Sequence, residues 1–197
     1  MFDKNNNSQH IFILEGSDAV GKGGLSTHIQ YLANGKCHMM HSNFNPVLNP
    51  ENHRRQHMLF AKFAKRQFSK RYYTANNVVI FDRCYVSDMT YGQIGCGSRG
   101  TLDQKFKYLN RLFRIITSDK TVAVHFIYCR PEKSAYDPNT KAELLPPDKQ
   151  SKMQPIYDNL IYDERMQNLF KKYSIDFYVY NFNLDPEYVL FDTTYNK

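Results

Sequence analysis

Two hydrophobic rhythms alternate along this chain. Short apolar runs at residues 11–15 (IFILE), 78–81 (VVIF) and 121–128 (TVAVHFIY) are too brief for helices and predict strands. The unbroken run from Val78 to Phe81 suits a central parallel strand, buried on both faces. CHMMHSNF at 37–44 and IDFYVYNF at 175–182 add two more strands. Between them the spacing becomes helical. Leu25, Ile29 and Leu32 share a side of a helix over 22–34, with Gly35 as its stop. Asn49-Pro50 marks a second helix start, and Phe60, Phe63, Ala64 and Phe68 then fall on one face, more as core than as base-stacking groups.

Thr101 and Gln104 have capping-box spacing ahead of Leu102, Phe106, Leu109, Phe113 and Ile116. A last helix is predicted over 149–172, packing through Ile156, Leu160 and Phe170. Strands alternating with helices predict an α/β fold with a five-stranded parallel sheet covered on both faces. The chain of 197 residues shows no repeat and no composition break, so residues 1–197 read as one domain. Residues 130–149 hold four prolines among polar residues and read as a loop.

The first strand runs straight into chemistry. GSDAVGKGG, 16–24, has a glycine, four residues and Gly-Lys, placed between a strand and a helix. Gly16, Gly21, Gly23 and Gly24 permit the tight curvature that lets backbone N–H groups, including those of Ala19 and Val20, converge on phosphate oxygens. Lys22 supplies the cation. The position after the lysine, where a magnesium-binding hydroxyl usually stands, is Gly23. Metal must then be held by phosphates, water and carboxylates. The second polar cluster, DRCYVSDMTYG, follows the strand at 78–81, so Asp82 and Arg83 fall at the carboxyl edge of the sheet, where ligands bind in such folds. There a carboxylate can order Mg²⁺ or the attacking oxygen, and a guanidinium can grip a phosphate.

FILEGSDAVGKGG resembles the nucleotide-binding loop of thymidylate kinases, in which Glu-Gly-x-Asp precedes Gly-Lys, and DRCYVSDMTY is similar to the same family's Asp-Arg-Tyr-x-x-Ser-x-x-Ala-Tyr. Cys84 and Thr90 depart from that pattern, and the double glycine looks most like the polyphosphate kinase 2 family. The resemblance implies a P-loop NTP-binding three-layer sandwich. It further implies an ATP-dependent, Mg²⁺-assisted kinase acting on a nucleoside monophosphate, dTMP foremost, or on a nucleoside; polyphosphate is the alternative donor. By the same resemblance Asp82 serves the metal or proton placement, and Arg83 binds the acceptor phosphate. Ser87 and Tyr91 line the acceptor side, Asp18 meets the acceptor sugar, and Glu15 matches a base of deoxynucleoside kinases. Arg66 takes the place of a family arginine in poor register. The segment 130–149 stands where the fold places its lid, and there Arg130 or Lys133 offers the catalytic cation. A homodimer is expected.

Charge and composition narrow this little further. A net charge of +7 attracts nucleic acid and phosphorylated small molecules alike, but no aromatic-basic RNA motif accompanies it, so nucleic acid is an unlikely partner. MFDKNNNSQH lacks a signal-peptide core and no stretch is long enough to span a bilayer, which predicts a cytoplasmic protein without a membrane partner. Cys37, Cys84, Cys96 and Cys129 form no C-x-x-C pair and read as reduced thiols.

Overall fold

A computed structural model describes residues 9–18, 20–33, 37–41, 50–68, 78–95, 100–130 and 147–181. Five strands form one parallel sheet: β1 (Gln9–Glu15), β2 (Cys37–His41), β3 (Val78–Asp82), β4 (Val122–Cys129) and β5 (Asp176–Tyr180), in the order β2-β3-β1-β4-β5. The chain leaves β1 toward β2 and β3 on one side and later returns on the other as β4. The crevice at this reversal opens at the carboxyl end of β1.

The helices are α1 (Lys22–Leu32), α2 (Pro50–Gln67), α3 (Tyr85–Gln93), α4 (Leu102–Ile116), α5 (Pro147–Ile161) and α6 (Glu164–Tyr173). The alternation of β1 divides the core in two. Phe12 and Leu14 pack toward Leu25, Ile29 and Leu32 of α1. Ile11 and Ile13 face the other way, into the larger layer built by α2 to α6. All four residues are at most 2% exposed, and each full burial of this kind is worth roughly 1.5–3 kcal/mol. The result is the helix–sheet–helix sandwich of P-loop proteins. No helix among the described residues is long and apolar enough to cross a membrane.

Local signals in the sequence explain most elements. Thr101 Oγ1 accepts from the Gln104 backbone N–H and the Gln104 side chain accepts from the Thr101 N–H, which completes the capping box of α4. The expected helix over 149–172 is instead two helices. The Asp163 carboxylate accepts the N–H of Arg165 and starts α6 anew, while α5 begins earlier, at Pro147. α3 was not anticipated, because its residues from Tyr85 to Tyr91 are almost all buried although several are polar. Gly35, Asn49, Cys96 and residues 131–146 lie outside the described residues, and with them Lys133 and most of the expected lid.

Candidate functional site

Gly16 turns the chain out of β1 with φ +139°, a conformation closed to residues with a side chain. A Cβ there would stand 2.4 Å from the Cys129 carbonyl oxygen, so β4 also forbids one. Gly21 (φ 83°) occupies the N-cap of α1 without a side-chain cap. The first turn holds no acidic residue, and the N–H groups that open a helix have no intrahelical partner, so this end of α1 is suited to an anion. Val20 is buried against the α1-side core, and Ala19 lies outside the described residues.

Lys22 opens α1, and its side chain folds back over the loop. Nζ donates to the carbonyl oxygen of Gly16 at 3.0 Å and to that of Ser17. Burial first, and the neighbouring Arg83 charge second, pull this ammonium down to about 8. Arg83 reaches the same carbonyl from the other side, Nη1 donating to Gly16 O at 2.9 Å. Two cations therefore share one acceptor at the mouth of the loop.

Gly23 and Gly24 lie in the helical first turn, and a Cβ on either would meet nothing within 4 Å. The nearby hydroxyls do not replace the missing one. Ser26 Oγ and Thr27 Oγ1 both donate backward to Gly23 O, at 2.8 and 3.0 Å. Gly23→Ser is accordingly expected to fold normally and to gain roughly 0.5 kcal/mol from helix propensity. If this loop takes a Mg²⁺–nucleotide, the added hydroxyl should lower the Mg²⁺ concentration that half-saturates turnover, measured alongside a thermal melt.

Glu15 points to the opposite face from Leu14. It is fully buried, and its carboxylate caps α3 across the crevice, for Cys84, the N-cap residue, offers no side-chain bond of its own. Oε1 accepts the backbone N–H groups of Cys84 (2.7 Å) and Ser87 (3.2 Å). Oε2 accepts from Ser87 Oγ (2.6 Å) and the Tyr157 hydroxyl (3.2 Å). A proton-accepting role would have to break one of these bonds.

Arg83 holds the same cluster from above. Its backbone is left-handed (φ 74°), rare for a side chain of this size, and is fixed by an N–H bond to Leu14 O at 2.9 Å. Besides Gly16 O, Nη1 donates to Ser87 Oγ (3.3 Å) and Tyr157 Oη (3.2 Å), while Nη2 pairs with Asp18 Oδ1. Asp18 Oδ2 accepts from Tyr91, whose ring lies under the guanidinium. Glu15, Asp18, Lys22, Arg83, Ser87 and Tyr91 are thus brought into one network. Tyr157 on α5 is a member that the sequence reading missed, since no spacing links it to residues 70 and 142 positions away. A buried Asp88–Lys105 pair, also missed, braces α3 on α4.

Asp82 turns to the α1 face. Oδ2 accepts from His41 Nδ1 at 2.9 Å, and Oδ1 is buried with no hydrogen-bond partner among the described residues. An orphaned carboxylate oxygen is costly unless a ligand meets it, and an oxygen donor of this kind suits Mg²⁺, which takes one or two carboxylates along with phosphates.

Two further expected residues make contacts of their own. Arg130 makes a bidentate pair with Asp158 of α5 (2.8 and 3.1 Å), and Tyr128 bonds the same carboxylate. The guanidinium is therefore anchored beside the sheet. Arg66 lies near the far end of α2, which runs down the sheet away from its carboxyl edge. Phe60 packs on Phe81, Phe63 on His38, and Lys65 with Phe68 reaches Val122 at the opening of β4. Arg66 instead borders an open groove of about 750 Å³ with Met40, Leu59, Phe60 and Phe63.

No family model matches the sequence, and no curated protein matches it. Among solved structures, polyphosphate kinase 2 from Arthrobacter aurescens TC1 overlays with a TM-score of 0.51 at 16% identity, covering 89% of this chain and 62% of that one. A putative polyphosphate kinase 2 from Pseudomonas aeruginosa PA01 overlays at 0.54 and 18%, covering 90% and 35%. Thymidylate kinase from Ehrlichia chaffeensis covers 92% and 94% at 14% identity, with a TM-score of 0.42. The chain spans less than two thirds of either polyphosphate kinase 2 chain. At these identities the likeness is one of fold.

Proposed function

We propose that this protein is a nucleotide kinase that moves the γ-phosphoryl group of ATP to a nucleoside monophosphate, with dTMP the acceptor favoured by the sequence resemblance. The observation that carries this reading is the meeting of Lys22 and Arg83 on the Gly16 carbonyl. One cation belongs to the phosphate loop and the other to the α3 side. Each gives up a shared carbonyl when a phosphate arrives, and two phosphates so held stand next to each other, as in-line transfer requires. A nucleoside acceptor brings no phosphate for Arg83, which is why the monophosphate is preferred.

In this reading the free N–H groups of α1 and Lys22 bind and orient the donor phosphates. Arg83 orients the acceptor phosphate, in competition with Asp18 for Nη2. Tyr91 and Asp18 flank the acceptor beyond it, and Ser87 and Glu15 hold Arg83 and α3 in place. Mg²⁺, held by Asp82 Oδ1 and phosphate oxygens, would neutralise charge on the transferred group. A second donor deserves one arm of the test, because the loop glycines leave open space and the fold is shared with polyphosphate kinase 2.

The experiment is a transfer assay with ATP or polyphosphate as donor, nucleosides and monophosphates as acceptors, and Mg²⁺ present or chelated. Mg²⁺-dependent product from ATP and a monophosphate is expected, and no transfer to any monophosphate would defeat the proposal. Asp82→Asn should lower kcat by about 10²-fold while changing metal-free nucleotide affinity only a few-fold, as a contact made chiefly in the transition state does.

A further inference from the structure

His41 ends β2 directly opposite Asp82 in the parallel β2–β3 register. Its Nδ1–H donates to Asp82 Oδ2 at 2.9 Å, and this leaves Oδ1 as the buried oxygen of the carboxylate, unpartnered among the described residues. We infer that His41 is a positioning residue that ties one oxygen of Asp82 so that the other is presented to a divalent cation. The inference rests on the metal role proposed for Asp82.

Three observations support it. A carboxylate rotates with a broad, two-fold preference about its last torsion, so its oxygens are interchangeable until one is fixed. Here the fixing group hangs from a neighbouring strand, held by the β2–β3 ladder rather than by a long mobile side chain. The oxygen left bare is the buried one, although the Asp82 side chain as a whole is 25% exposed. Oriented metal-binding carboxylates of this sort draw on partners just outside the coordination sphere, and losing such a partner typically weakens metal binding 10–100-fold. A plain surface ion pair is the competing account. It fits the 58% exposure of His41, but it gives no reason for the orphaned oxygen.

The high exposure of His41 also makes the test clean, since its replacement leaves no cavity. Mn²⁺ binding would be followed by electron paramagnetic resonance in the full chain with saturating ADP, and ADP affinity measured separately in chelator. His41→Ala should weaken Mn²⁺ binding roughly tenfold, the lower end of the range for such partners. His41→Asn, whose amide nitrogen can stand where Nδ1 stood, should recover to within about threefold. Neither change should alter metal-free ADP affinity or the melting temperature appreciably. Unchanged Mn²⁺ binding in His41→Ala, with Asp82→Asn weakened, overturns the inference and leaves the metal role of Asp82 standing. Unchanged binding in Asp82→Asn overturns both. Loss in His41→Ala without recovery in His41→Asn overturns the positioning role, because the imidazole itself would then be the metal's partner.

Discussion

Lys22→Ala should lose at least about a hundredfold in transfer rate with every acceptor and still fold. In the proposed reading the rate loss follows from removing a cation aimed at the donor phosphates, a type of contact worth 10²–10³ or more in comparable sites. The fold should survive because Gly16 O keeps its bond from Arg83, while Ser17, half-buried, can turn its carbonyl to water. The lysine also carries a pH signature. With its ammonium lowered to about 8 in the free protein, chiefly by burial, the charge is lost as pH rises through that value. Donor capture, read as kcat/KM, should therefore fall above about pH 8, whereas kcat should hold to higher pH because bound phosphate restores the charge. Stability moves the other way. The folded value lies below the ordinary 10.5, so the charged lysine costs folding free energy below about 8 and that cost is relieved between 8 and 10.5. Rate profiles and melts over pH 7–10, with Lys22→Ala lacking both effects, would check this; a variant with unaltered kcat would remove Lys22 from the chemistry.

Arg83→Ala should fail as a folded protein before it fails as an enzyme. The guanidinium joins the phosphate loop, α3 and α5, pairs with Asp18, and its charge acts on the buried Glu15. Breaking a buried charge pair from one side costs about 3–5 kcal/mol. At roughly 2–4 °C per kcal/mol for a chain of this size, the melting temperature should drop by roughly 6–20 °C. Alanine therefore cannot isolate acceptor recognition. Arg83→Lys keeps the charge but loses the fork. In that variant KM for a monophosphate should rise roughly 10–100-fold, the loss expected for one charge-assisted bidentate contact, with a nucleoside acceptor far less affected. Equal sensitivity of the two acceptors would argue that Arg83 is architectural alone.

The parts of this molecule legible in the sequence are those written locally. β1, the glycine turn and α1 occupy consecutive residues, and each announces itself by an apolar run, by glycines and by helical spacing. The α4 cap lies within four residues, and it too was legible. What escaped was written across long separations or in polar residues. α3 buries Tyr85, Val86 and Met89 in the core, but its polar residues can be buried beside them only because a carboxylate 69 residues away caps it and Lys105 pairs with Asp88. Tyr157 has no local pattern that distinguishes it from the other tyrosines. The break at Asp163 was hidden because apolar residues continue in near-helical spacing across it. Arg66 shows what a local motif leaves out. A loosely matching motif put it near the acceptor, but the direction of α2 along the sheet takes it away.

The alternation of β1 has a consequence for how such an enzyme can diverge. Leu14 and Asp82 look toward α1, and Glu15 looks toward α3 and α5. In the proposed reading, donor and metal are thus handled from one side of a single strand and the acceptor from the other. Substitutions that retune one, such as the glycines at 23 and 24, need not disturb the polar cluster that holds the other. In that reading a lineage built on this scaffold can exchange its phosphoryl source and keep its acceptor, with the contacts of Arg83 to Gly16 and Asp18 among the points where the two inheritances are tied.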